Sequence, residues 1–353
     1  MSGGEAVVAE TAAQAAPAAG EGRSPAARRV GMIAVIAVLF AAGIGLAAAS
    51  QFPGNGALSL ALCLTAAGLG ARHALDIDHI AAIDTTTRAF LARGTRTESI
   101  GFWFALGHST IVVGAVGLLC LGFGAFAGQL GDEGSALHAF TGVWGPAVAG
   151  LFLILAAALN TAPLRRAFGV LRSGADPETR TDGMPTGLLG RVLRPAVERV
   201  VHPSQMYTVG FLFGLGFDTA STIGLLALGG AAAVQTPGWT VLALPLLFTA
   251  GMVAVDTADG MVMQRAYAWS RGGAARRAGY DFAITLVSVS VALLVGALSL
   301  LDAARTLLGD RSSSLAWLDA IDLTFAGPAV VLVLLAIWGG AALLRRSIPA
   351  NSR

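Results

Sequence analysis

The sequence predicts an all-α, polytopic membrane protein with eight transmembrane helices, on three observations. Only 12% of its 353 residues are charged while 55% are hydrophobic, whereas a soluble domain is about 25% charged. Several apolar stretches exceed the roughly 20 residues needed to cross a hydrocarbon core of about 30 Å. The arginines crowd into alternate connections between those stretches, as the positive-inside rule requires.

Hydropathy places the spans at Val30 to Ser50, Ala57 to Arg88, Ile100 to Phe126, Thr141 to Pro163, Met206 to Gly230, Trp239 to Trp269, Tyr280 to Leu301 and Phe325 to Leu344. The first could be read as a signal peptide, because Arg28 and Arg29 precede an apolar run ending at Ala47 to Ser50. Its length exceeds the roughly 7–15 residues of a signal core, so a retained helix is expected. The second is 32 residues long, or about 48 Å at 1.5 Å per residue, which demands a tilt or a break. Gly68 and Gly70 stand just before its polar cluster.

Twenty of the 23 arginines lie in the N-terminal tail, the second, fourth and sixth connections, and the C-terminal tail. Both termini are therefore expected in the cytoplasm, with the chain crossing a cytoplasmic (inner) membrane several times. Residues 1–29 are rich in Ala, Gly and polar side chains with no apolar run, and read as a disordered tail. Helices 1–4 then occupy 30–163, a charged linker containing Gly and Pro 164–205, helices 5–8 206–344, and a second tail 345–353. A net charge of +2 with no basic face argues against nucleic-acid binding. Cys63 and Cys120 sit in apolar segments, which argues against a disulfide framework or a cysteine metal cluster. The expected partners are the lipid bilayer and a small substrate; oligomeric state is not legible.

Four spans carry polar groups that lipid cannot face. The second contains Arg72, His73, Asp76, Asp78, His79 and Asp84. Each Asp or Arg at mid-membrane costs about 2.5–3.5 kcal/mol on an insertion scale, so these side chains must turn to neighbouring helices, a cavity or a ligand. His73 and His79 are six residues apart, about 120° around a straight helix. Joint binding of one ion by both therefore requires a distorted helix, or other helices to complete the site. Arg72 and Asp76, four apart, can also form an ion pair of no further consequence. The third span contributes His108, Ser109 and Thr110, the fifth Asp218 with Ser221 and Thr222 on the same face, and the sixth Asp256, Thr257 and Asp259. For His108 and the hydroxyls, plain helix-to-helix hydrogen bonding is the alternative.

Imidazole with carboxylate suits a borderline divalent ion such as Ni²⁺, Co²⁺ or Zn²⁺, whereas Mg²⁺ and Ca²⁺ prefer oxygen shells. Such an ion is a substrate and not a cofactor. Moving a +2 ion to a negative interior gains about 4.6 kcal/mol per 100 mV. Uptake thus needs no ATP, and the chain has no GxxxxGK[ST] loop.

The run from Arg72 to Asp84, with His73, Asp78 and His79 in H-x4-D-H spacing, resembles the signature of the nickel/cobalt transporter family of secondary permeases. Leu106 to Thr110, Leu215 to Ala220, and Gly251-Met252 with Asp256 to Gly260 resemble that family's motifs in the third, fifth and sixth helices. The resemblance implies that His73, Asp78 and His79 are the central metal-recognition residues. It implies that Asp76, His108, Asp218 and Asp256 join them, with Arg72, Asp84, Ser109, Thr110, Thr219, Thr222, Thr257 and Asp259 along the path or around the ligands. The chain departs from the family pattern at Thr85, where Asn is common, and at Thr222, where Glu is common. Gly68-Leu69-Gly70 and Gly214-Leu215-Gly216 precede acidic motifs three spans apart, as an inverted repeat would.

The expectation is therefore a permease and no enzyme. The rivals are an intramembrane aspartyl protease using Asp218 and Asp256, which leaves the histidines unexplained, and a metal exporter or sensor. A diiron oxygenase would need more than the five histidines present.

Overall fold

The structure is a computed structural model that describes residues 24–50, 60–121, 134–173, 202–216, 239–268, 274–308 and 325–346. Among these there are helices and turns and no strand. Nine α-helices follow in order among the described residues: α1 Pro25–Ala49, α2 Leu60–His73, α3 Ile77–Ala92, α4 Ile100–Cys120, α5 Ala136–Ser173, α6 Met206–Gly214, α7 Ala243–Ala268, α8 Ala274–Leu307 and α9 Ala326–Arg346. One compact unit, residues 1–35, contains the start of α1; the other, residues 36–353, contains everything that follows.

Five helices are long and apolar enough to cross a membrane, and the α2–α3 pair makes a sixth if taken as one broken span. Of the eight expected spans, the fifth is described only through Gly216, and α9 has a short apolar stretch, Ala326–Gly340. α5 continues through Pro163 to Ser173, ten residues into the stretch expected to be linker. The rest of that linker, 174–201, lies outside the described residues, as do both expected tails but for their helical edges.

The long second span is broken where its polar cluster begins. α2 and α3 meet at 52° across three residues, Ala74 to Asp76. Asp76 is extended (φ −66°, ψ 144°) and occupies the N-cap of α3 without a side-chain cap hydrogen bond, its carboxylate facing His73 and Arg72. Asp78 in the first turn adds negative charge at the positive end of the helix dipole. Irregular backbone at membrane depth survives only when covered by protein. Here α9 covers it: Gly327 approaches so closely that a Cβ there would collide with the Leu75 carbonyl oxygen.

α7 packs on α2, α3 and α4 and gathers them into one layer. Glycines set the spacing from both sides. A Cβ on Gly70 would strike the Phe248 carbonyl oxygen, and one on Gly251 the Ala67 carbonyl oxygen, so α2 and α7 meet backbone to backbone. Such small-residue contacts are the usual means of close helix approach in lipid, where apolar area gives no driving force. α4 and α6 meet in the same reciprocal way at Gly107 and Gly210. Ile83, Phe104, Leu153, Met206 and Phe213 belong to one buried core cluster, to which α5 and α8, packed on each other and on α3, both contribute.

Candidate metal centre

The break in the second span brings together two side chains that a straight helix would separate. His73 ends α2 and His79 sits in the first turns of α3; their ring centroids are 4.9 Å apart. His108 of α4 completes a nearly equilateral triangle, 5.0 Å from His73 and 4.9 Å from His79. All three are buried, and each offers a ring nitrogen such that the three lie within 4.8 Å of one another. Both conditions expected from the spacing are therefore met: the helix is distorted, and another helix contributes. Among the described residues this is the one group of three or more His, Cys, Asp or Glu side chains so arranged.

Carboxylates stand behind two of the rings. His73 Nδ1 is 3.0 Å from Asp76 Oδ2, and His79 Nδ1 is 3.3 Å from Asp256 Oδ2. A neutral imidazole that donates its Nδ1–H to a carboxylate keeps its Nε2 lone pair for a ligand. Nε2 of His73 faces Nε2 of His108 at 3.1 Å. Two such nitrogens, each about 2.1 Å from a shared ion, subtend about 95° at it, close to a square-planar or octahedral angle. The walls are apolar: Phe104 meets His79 edge-on at 4.9 Å, and Phe248 lies 5.7 Å from His73.

The other expected residues fall into distinct places. Asp78 Oδ1 accepts the backbone N–H of His79 at 3.0 Å, so that oxygen serves the α3 N-terminus. Arg72 is largely exposed (57% of its side chain), and its Nη2 lies 3.8 Å from Asp76 Oδ1. Ser109 and Thr257 are buried, with no hydrogen-bond partner for either hydroxyl. Thr110 is exposed, bonding to the Leu106 carbonyl and, at 2.8 Å, to the Tyr207 hydroxyl. Asp84 and Asp259 are both buried, further along α3 and α7. Asp218, Thr219 and Thr222 lie outside the described residues. Thr85, one of the two departures, donates its hydroxyl to the Ala81 carbonyl of its own helix.

Several partners were missed by the sequence reading. Asn160 of α5 is fully buried and donates to the Thr85 carbonyl at 3.0 Å, tying α3 to α5. A lone Asn in an apolar span was a visible signal. Tyr267, Thr285 and Ser288 surround Arg88 and Asp84; Arg88 stands at the edge of its hydropathy span, and nothing in the sequence marks it as buried.

Comparison with known proteins gives a consistent answer. The family described as "NicO: High-affinity nickel-transport protein" matches residues 59–344. The nickel transporter NicT of Mycobacterium tuberculosis is 42% identical over 82% of this chain and 80% of its own length. The cobalt transport protein NhlF of Rhodococcus rhodochrous is 36% identical over 94% of this chain and 96% of its own. The high-affinity nickel-transport protein NixA of Helicobacter pylori strain 26695 is 37% identical over 75% and 81%. No solved structure matches.

Proposed function

We propose that this chain, which belongs to the NicO family, is a secondary permease that imports Ni²⁺ or Co²⁺ across the cytoplasmic membrane. The observation that carries the reading is the convergence of three buried imidazoles, two of them backed by carboxylates, at a break in a membrane span. His73, His79 and His108 take the ion, Asp76 and Asp256 orient their rings, and Asp78 stabilises the α3 terminus that presents His79. Asp218 joins the path from the fifth span, with Thr219 and Thr222, while Arg72, Ser109, Thr110 and Thr257 line or flank it. The chain spans the bilayer eight times with both termini and the central linker in the cytoplasm, its halves being 30–163 and 206–344. The paired Gly-Leu-Gly steps make α2 and the fifth span counterparts in an inverted repeat.

A neutral triad lets a +2 ion shed water onto nitrogen without meeting a fixed positive charge, and the carboxylates supply attraction one atom layer away. Inward movement is favoured by the membrane potential, by about 4.6 kcal/mol per 100 mV for a doubly charged ion. The alternatives fare worse: none of the relatives named here is a protease, and Asp256, half of the supposed dyad, is engaged with His79.

The test is accumulation of radioactive nickel and cobalt by cells expressing the protein. Uptake should vanish in His73→Ala and His79→Ala at unchanged protein level, and excess unlabelled nickel, but not magnesium, should compete with cobalt. Equal competition by magnesium would exclude nitrogen ligation, and uptake unaffected by both alanine variants would refute the site.

A further inference from the structure

A second polar cluster is buried below the histidines. α3 and α7 both continue from the triad toward the proposed cytoplasmic side, reaching Asp84 about 7.5 Å past His79 and Asp259 about 4.5 Å past Asp256 along their helix axes. The two helices stay close at this level, since a Cβ on Gly260 would meet Ile83 Cγ2 at 3.6 Å. Asp84 is 2% and Asp259 8% exposed. Asp259 feels the charges of both Asp84 and Asp256, and its Oδ2 has no hydrogen-bond partner.

The cluster holds its own cation. The Tyr267 hydroxyl donates to Asp84 Oδ1. The Arg88 guanidinium lies 4.0 Å over the Tyr267 ring and donates to Thr285 Oγ1 and, at 3.4 Å, to Ser288 Oγ. Arg88 also lies within electrostatic reach of Asp84, Asp281 and Tyr280. Asp84 and Asp281 thus share the one guanidinium, whereas Asp259 has only the carboxylates Asp84 and Asp256 in electrostatic reach and, with one oxygen lacking a hydrogen bond, is costly in a low dielectric unless a cation joins it.

We propose that Asp84 and Asp259 form a second, oxygen-only cation station between the histidine triad and the cytoplasm, with Arg88, held beside Asp84 by Tyr267, Thr285 and Ser288, as the tethered cation that offsets its charge between ions and withdraws as one arrives. This rests on the triad being the entry site. Its use is release: a borderline ion held by imidazoles is passed to harder oxygen ligands, which suit it less well than nitrogen, and the returning guanidinium then expels it.

The test measures Co²⁺ bound per chain to the full-length protein in lipid nanodiscs, with X-ray absorption to read imidazole against oxygen ligation. Arg88→Gln should bind two Co²⁺, the second without imidazole, and Arg88→Gln with Asp259→Asn should bind one. Asp259→Asn alone should keep the imidazole-ligated ion, which also certifies its fold, yet lose uptake by about tenfold or more, the scale of one lost charged contact. Tyr267→Phe, which changes no charge, should shift the second affinity and leave the first alone. One ion per chain in Arg88→Gln with the imidazole site intact, or normal uptake by Asp259→Asn, overturns the station while sparing the triad. Absence of imidazole ligation in the unaltered protein would instead remove the reading beneath it, and the station with it.

Discussion

Replacing Asp256 by Asn isolates what the carboxylate behind His79 contributes. The side chain is fully buried and its Oδ2 lies 3.3 Å from His79 Nδ1. Asparagine keeps the size and a carbonyl acceptor for the Nδ1–H, so the ring keeps its place and only the charge is lost. Across the imidazole the carboxylate stands about 7 Å from a bound ion, where a +2 and a −1 charge attract by about 5 kcal/mol at an effective dielectric near 20. Part of that is offset, because removing the charge also relieves the empty protein of a buried carboxylate. Losses of about 10- to 100-fold, or 1.4–2.7 kcal/mol, are what partners behind metal-bound histidines usually contribute. Ni²⁺ binding to the purified protein in nanodiscs, measured by calorimetry, should therefore weaken by about 10- to 100-fold in Asp256→Asn at unchanged stoichiometry. An affinity within about twofold of the unaltered protein would refute the electrostatic contribution assigned to Asp256.

Three further outcomes are expected. Imidazoles bind a metal only when neutral, so protons compete with the ion: affinity should fall as the pH drops below neutral, with proton release on binding, checked by calorimetry in buffers of different ionisation enthalpy. An affinity independent of pH would argue against histidine ligation. Gly70→Ala places a methyl group against the Phe248 carbonyl and should lower stability by about 1–3 kcal/mol as α2 and α7 separate; thermal unfolding in detergent is the measure, with Gly68→Ala, which meets no atom within 4 Å, as the silent control. Asn160→Leu removes the donor to the Thr85 carbonyl and should cost about 1–3 kcal/mol by the same assay, with metal affinity largely retained.

The polar side chains of the site were legible because lipid makes each conspicuous: His73, His79, His108 and Asp256 stand out in spans that are otherwise apolar. The six-residue spacing of the two histidines left a choice between a distorted helix and completion by other helices, and the structure has both. The place of the break could not. Gly68 and Gly70 mark a close approach of α2 to α7, or nothing within reach, whereas the chain opens at Ala74 to Asp76. That choice depends on α9 covering the freed backbone through Gly327, a contact between residues some 250 positions apart. Which carboxylate serves which ring was hidden for the same reason. Sequence proximity favours Asp78 for His79, yet Asp78 serves the helix terminus and the ring partner comes from α7.

The allocation of charge is what makes the centre suit passage and not storage. Were carboxylates the direct ligands of a +2 ion in a low dielectric, attraction would be strong and departure slow. With neutral imidazoles in contact and Asp76 and Asp256 one ring further out, attraction is weakened by distance while the geometry still selects a metal that accepts nitrogen. Asp76 is further tempered by Arg72, which is largely exposed at the α2 end of the break, whereas Asp256 has no such cation within the triad. The field thus deepens from Asp76 toward Asp256 and onward to Asp259 and Asp84. On the proposed topology and path, that field would draw the ion inward along α3 and α7 toward Arg88. Reversing Arg72 to Glu should flatten that gradient by deepening its outer end, so Ni²⁺ should bind the triad more tightly yet be taken up more slowly. Faster uptake on tighter binding would show that entry, and not departure, limits the rate.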